Sequence, residues 1–251
     1  MAQHTPLYII ASQHPRVGKT LVARLLIEYF RLSGRPIVGY DLDPREPALA
    51  SHFPSFVWPV DTADTRGQMA LFDRLVADDW RTTVLDIGYG LFDQFFTVLP
   101  EIGFEQEAAR RGIVPIVLFI TDAAPTTARR YAELQKRLPR TIFVPVHNEA
   151  TAFMFIPNDF PPTRPECGVI RIPRLSPIVR SVIDRPGFSF GTYLGKRPGG
   201  PTEVHTWIDT IFSEFRELEL RLLIGELESS LRGYAGQSGG RRSNPVSPRR
   251  A

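Results

Sequence analysis

Two apolar patterns alternate along the chain. Short continuous runs at 7–11, 36–40, 82–87, 113–121, 141–146 and 168–172 read as strands buried on both faces, the pattern of a parallel sheet. Between them lie stretches of helical period. In 19–32 the apolar positions are Leu21, Val22, Leu25, Leu26, Tyr29 and Phe30, with Gly34 closing the helix, and 125–138 forms a second. Strands alternating with helices predict a doubly wound, mostly parallel α/β sheet flanked by helices, joined by right-handed crossovers. The proline-rich segment 150–165 breaks this rhythm and is expected to be a loop across the domain.

The pattern ends differently. From 203 to 231 there is no proline, and Val204, Ile208, Ile211, Phe215, Leu218 and Leu222 follow one another at spacings of 4, 3, 4, 3 and 4. That 3.5-residue period predicts a long C-terminal helix, and Leu220, Leu223, Ile224 and Leu227 widen its stripe. Two roles stay open for it, a lid over the sheet or a surface for a protein partner. Gly, Ser, Pro and Arg dominate from Gly233 onward and predict a loose tail. The expected organisation is one domain over 1–231 and a disordered basic tail over 232–251.

Charge changes this picture only at the tail. The net charge is +3 and the pI about 9.2. Arg241, Arg242, Arg249 and Arg250 sit in the last dozen residues with no acid among them, so the rest of the chain is near neutral. The tail is therefore the candidate for non-specific contact with DNA phosphates. Cys167 is the single cysteine, which excludes an intrachain disulfide and a multi-thiolate metal site. No apolar run reaches the ~18 residues a membrane span requires. The polar stretch 1–6 leads straight into a strand, unlike a signal peptide, so the expected location is cytoplasmic.

The candidate chemistry sits after the first strand. Gly18, Lys19 and Thr20 close a loop and open a helix, the context of a phosphate-binding P-loop. In such a loop backbone N–H groups curl around phosphate oxygens, the lysine neutralises charge and the hydroxyl binds Mg²⁺. Pro15, Arg16, Val17, Gly18, Lys19, Thr20 and Leu21 are the expected nucleotide-contacting stretch. Asp41 and Asp43 end the second strand and Asp86 the third, on the edge where open α/β sheets bind ligands. The loop departs from the general GxxxxGKS/T pattern by carrying Gln13 at its first glycine.

Residues 7–43 and the order of later motifs resemble the ParA/MinD group of P-loop ATPases, whose loop reads KGGxGKT. That pattern falls on His14-Pro15-Arg16-Val17-Gly18-Lys19-Thr20, of which the second half matches and the first does not. The resemblance implies that His14 stands where the family's lysine reaches a dimer partner's phosphates. Histidine is shorter and mostly neutral at pH 7, and Arg16 is the nearby alternative cation. Asp41-Leu42-Asp43-Pro44 resembles the family's DxDPQ segment, with Arg45 in place of glutamine. By that likeness Asp41 and Asp86 serve the metal alongside Thr20, and Asp43 orients the attacking water. Asn148 falls where the family has an asparagine on the base, and Pro173-Arg174 where its IPR segment flanks adenine. The loop also resembles, more distantly, the GTDTxVGKT form of dethiobiotin synthetase.

These likenesses imply a Mg²⁺-dependent ATPase acting as a nucleotide switch in plasmid partition, positioning or DNA transfer. Two other readings stay open: an ATP-dependent ligase, and a nucleotide-binding module without turnover. No NKxD-like guanine segment is visible, because Val146-His147-Asn148-Glu149 lacks its lysine and aspartate, so adenine is favoured.

Overall fold

The structure, a computed structural model, describes residues 4–43, 45–77, 80–151, 156–185, 187–196 and 200–238, with backbone alone from 229 onward. The elements follow the alternation read from the sequence. The first half runs β1 (Thr5–Ala11), α1 (Lys19–Leu32), β2 (Ile37–Asp41), α2 (Ala48–His52), β3 (Val57–Pro59), α3 (Thr65–Leu75), β4 (Thr82–Asp86), α4 (Phe92–Glu101) and α5 (Phe104–Arg110). The second runs β5 (Ile113–Ile120), α6 (Pro125–Arg137), β6 (Ile142–Asn148), β7 (Ile170–Ile172), α7 (Pro177–Ile183), α8 (Phe190–Leu194) and α9 (Glu203–Ser238).

All strand pairs are parallel, in the order β3-β2-β4-β1-β5-β6-β7. From β1 the chain runs to β2 and β3, returns to place β4 beside β1, and then crosses to β5, β6 and β7, so the strand order reverses beside β1. A crevice forms at the carboxyl ends of strands at such a reversal. Alternate side chains of β1 serve different cores, as a two-residue strand period requires. Leu7, Ile9 and Ala11 pack with the phenylalanines of α4 and with α3 and α6, while Tyr8 and Ile10 pack with α1 and α9.

The expected fold is the one observed, with a sheet that is wholly parallel. The strand missing from the sequence reading is β3. Its three residues are too few to carry a pattern, and Trp58 at its centre is exposed. The segment 150–165 holds only two 3-10 turns, Pro157–Asp159 and Pro165–Cys167, among its described residues. All six apolar positions of the heptad run in α9 are buried, so this helix lies against the domain along that face. The Tyr29 hydroxyl donates to Glu219 Oε2 at 2.7 Å, and the Arg35 guanidinium meets the same carboxylate at 2.6 Å. These contacts tie α9 to α1 and the turn that follows it. The backbone of the helix continues past the expected boundary at Leu231 to Ser238. The four tail arginines lie outside the described residues. Among the described residues, no helix is long and apolar enough to cross a membrane.

Candidate functional site

The loop between β1 and α1 owes its shape to backbone conformations that most residues avoid. Gly18 has φ +101° and Arg16 has φ +59°, two left-handed positions separated by one residue. Alternation of this kind turns successive N–H groups toward one point, a nest for an anion. A Cβ at Gly18 would lie 2.6 Å from Asn148 Nδ2, so packing and conformation both demand glycine there. Gly18 also begins α1 with no side-chain cap, which leaves the first N–H groups of a 14-residue helix without a side-chain acceptor.

Three side chains converge on this loop. Lys19 is buried, and its ammonium donates to the His14 carbonyl at 3.0 Å, across the loop. Its Nζ stands 6.0 Å from the centre of the exposed Tyr89 ring, just beyond β4. Burial lowers the Lys19 pKa, opposed by the carboxylates of Asp86 and Asp43. The Thr20 hydroxyl donates to Asp86 Oδ2 at 2.7 Å. Asp86 is buried at the end of β4, and desolvation pushes its pKa up to about 7 against the opposing pull of Thr20 and Lys19. A hydroxyl that spends its proton on a carboxylate turns its lone pairs outward. Together with the acid behind it, that oxygen suits a hard, oxygen-seeking cation such as Mg²⁺.

Asp43 lies at the rim. Its Oδ1 takes the backbone N–H groups of Arg45 at 3.3 Å and Glu46 at 3.2 Å, while Oδ2 faces Gly88. A Cβ at Gly88 would stand 3.3 Å from that oxygen and 3.2 Å from the Leu42 carbonyl, so glycine permits these two loops to close on each other.

The other expected site residues make the following contacts within the chain. Asp41 is the register partner of Asp86 on the adjacent strand. Its Oδ2 accepts from the N–H groups of Leu49 at 2.8 Å and Ala50 at 3.1 Å, and its Oδ1 from Asp43 N at 3.1 Å. The carboxylate thus anchors the start of α2. Burial raises its pKa, and the three N–H groups pull it back. Asn148 is buried, with Nδ2 donating to the Val17 carbonyl at 2.8 Å and Oδ1 accepting from Ala150 N at 3.1 Å. It braces the loop between β1 and α1 through the Val17 carbonyl. The Pro173 carbonyl accepts the Trp207 indole N–H at 2.7 Å and so fastens α9. Arg174 meets Glu149 through its backbone N–H and its Nε, each at 3.3 Å.

One contact was invisible in the sequence. His14 Nδ1 pairs with Asp122 Oδ2, just beyond β5, and the other oxygen of Asp122 takes the Ala124 N–H at 2.9 Å. His14 is thus tethered within its own chain, whereas Arg16 is exposed. The pairing joins residues 108 positions apart, so no local motif announces it.

No known family model matches the chain, and no curated protein matches it. Among solved structures it is similar to a nucleotide-binding protein from Archaeoglobus fulgidus in complex with ADP and with cobalt. The identity is 13% and the TM-score 0.39, over 57% of this chain and 66% of that one, so the match spans just under two thirds of that protein.

Proposed function

We propose that the chain binds MgATP in the loop spanning 15–21 and hydrolyses it, as a nucleotide switch of the ParA/MinD kind in partition, positioning or DNA transfer. The observation that carries this reading is the Thr20–Asp86 hydrogen bond at 2.7 Å, beside Lys19 and at the uncapped start of α1. The N–H groups of the nest and of the first turn would take phosphate oxygens, and Lys19 would exchange its bond to the His14 carbonyl for one to phosphate. Thr20 would hold Mg²⁺ directly, with Asp86 behind it. The ion supplies charge neutralisation for the phosphates. Asp43 would orient the attacking water at Oδ2, since Oδ1 takes the N–H groups of the turn.

A nucleotide-binding module without turnover is the second reading, favoured by the His14–Asp122 pair. That pair ties down the position at which the resembled family carries a lysine. Phosphate release, measured with MgATP, with MgGTP and with ATP plus a chelator, tests the proposal. Turnover with MgATP that the chelator abolishes is expected. Saturable MgATP binding with no release above the uncatalysed rate selects the second reading, and no binding of either nucleotide at millimolar concentration overturns both.

A further inference from the structure

The outer face of α9 changes character along its length. Thr206, Asp209, Thr210, Ser213, Arg216 and Glu217 keep it polar and exposed, as a helix lying on a domain should be. One turn later the same face becomes apolar. Leu220, Leu223, Ile224 and Leu227 are 54%, 53%, 54% and 43% exposed. At about 100° per residue these four share one stripe, opposite Leu218 and Leu222, which are buried against the domain. In the sequence Leu220, Ile224, Leu227, Leu231 and Tyr234 continue at spacings of 4, 3, 4 and 3. The sequence thus carries a second heptad pattern, which begins at Leu220 before the buried one ends at Leu222. Beside Leu220 and Leu223, a cavity of about 330 Å³ opens between α9 and the base of β1 and β5, lined also by Tyr8, Arg35 and Ile116.

We infer that this seam pairs with the same seam of a second copy of the chain, in antiparallel orientation. The remaining segment 239–251 cannot cover it, since Val246 is its single large apolar residue. An anionic membrane is opposed by Glu217, Glu226 and Glu228, which outnumber Arg216 and Arg221 around the stripe. Self-pairing is favoured by the flank charges. If Ile224 of each chain meets Leu227 of the other, Arg221 of each chain, which also pairs with Glu217 on its own helix, comes beside Glu228 of the other, twice by the two-fold axis. A parallel pair would instead set Arg216 against Arg221. Antiparallel pairing also sets the two Glu203 ends at opposite ends of the joined helices. The four half-exposed side chains offer roughly 400 Å² of apolar surface per chain, enough for the centre of a dimer interface near the ~1,200 Å² lower bound of stable complexes. This inference does not depend on the nucleotide reading.

The test is sedimentation of the full chain without nucleotide, which separates this dimer from any that a nucleotide would drive. A dimer by ~100 µM is expected, weakened at least about tenfold by Ile224→Glu. Arg221→Glu alone and Glu228→Arg alone should each weaken it, and the two together should restore it. Since Ile224 is exposed, circular dichroism should report an unchanged fold for Ile224→Glu. A monomer at ~100 µM, or a dimer indifferent to Ile224→Glu, overturns the pairing. A dimer broken by Ile224→Glu but not rescued by the charge exchange overturns the antiparallel register.

Discussion

The ends of β2 and β4 lie side by side, and each finishes in a buried aspartate. Asp41 and Asp86 are direct register partners, yet they do different work. Asp41 is surrounded by three backbone N–H groups that hold it as the anchor of α2. Asp86 receives a single hydroxyl from Thr20, and burial pushes its pKa up to about 7. The local supply of N–H groups therefore separates a well-supported carboxylate from a poorly supported one, and position at a strand end does not. An acid whose charge is poorly supported in the free protein gains most from a cation nearby.

Acidity gives the largest way to break this comparison. Asp86 has a folded pKa of about 7 against an ordinary value of 3.8, so between those values the native state holds a proton that the unfolded chain has lost. Its contribution to stability is present at low pH and disappears as pH rises through that window, by up to ~4 kcal/mol. Subtracting the stability profile of Asp86→Asn from that of the wild type, by urea titration from pH 4 to 8, should reveal this decline. A flat difference would mean that Asp86 is not held near neutrality. Asp41→Ala comes next. It leaves the Leu49, Ala50 and Asp43 N–H groups without their acceptor and should cost ~3 kcal/mol at pH 7, read as a lower urea midpoint. At pH 8 the two asparagine variants should move in opposite directions, Asp86→Asn upward and Asp41→Asn downward. Asn148→Ala is the smallest change, ~1–2 kcal/mol for the lost brace on the Val17 carbonyl. It should weaken nucleotide binding through loop disorder, without altering the preference between ATP and GTP. A changed preference would return Asn148 to the base.

The parts of this molecule legible in the sequence are those governed by neighbours close in the chain. The helix α1 was read with its observed ends, because its apolar spacing is regular and Gly18 and Gly34 bound it. The buried seam of α9 was equally plain, and its role as a lid follows from the burial of all six positions. Its far end was missed because glycine and serine composition suggested a stop, whereas the helix runs on to Ser238. Strand β3 was missed because three residues carry no period. Side-chain roles at the site were harder to read. The local contacts of Lys19 and Thr20 follow from the turn they sit in, and their roles at a phosphate belong to the proposal. The bond from Asn148 to Val17, 131 positions away, and the meeting of Asp122 with His14 gave no sign in the sequence.

The central claim is that Lys19, Thr20 and Asp86 together hold a triphosphate, and titration calorimetry of Lys19→Ala beside the wild type tests it most directly. The Lys19 ammonium bonds only to a loop carbonyl among the described residues, and burial already disfavours its charge, so its removal should leave the fold and melting temperature unchanged. The account predicts micromolar MgATP binding by the wild type, about −8 kcal/mol, and affinity at least ~100-fold weaker in the folded variant. Equal affinity in the two proteins would contradict it.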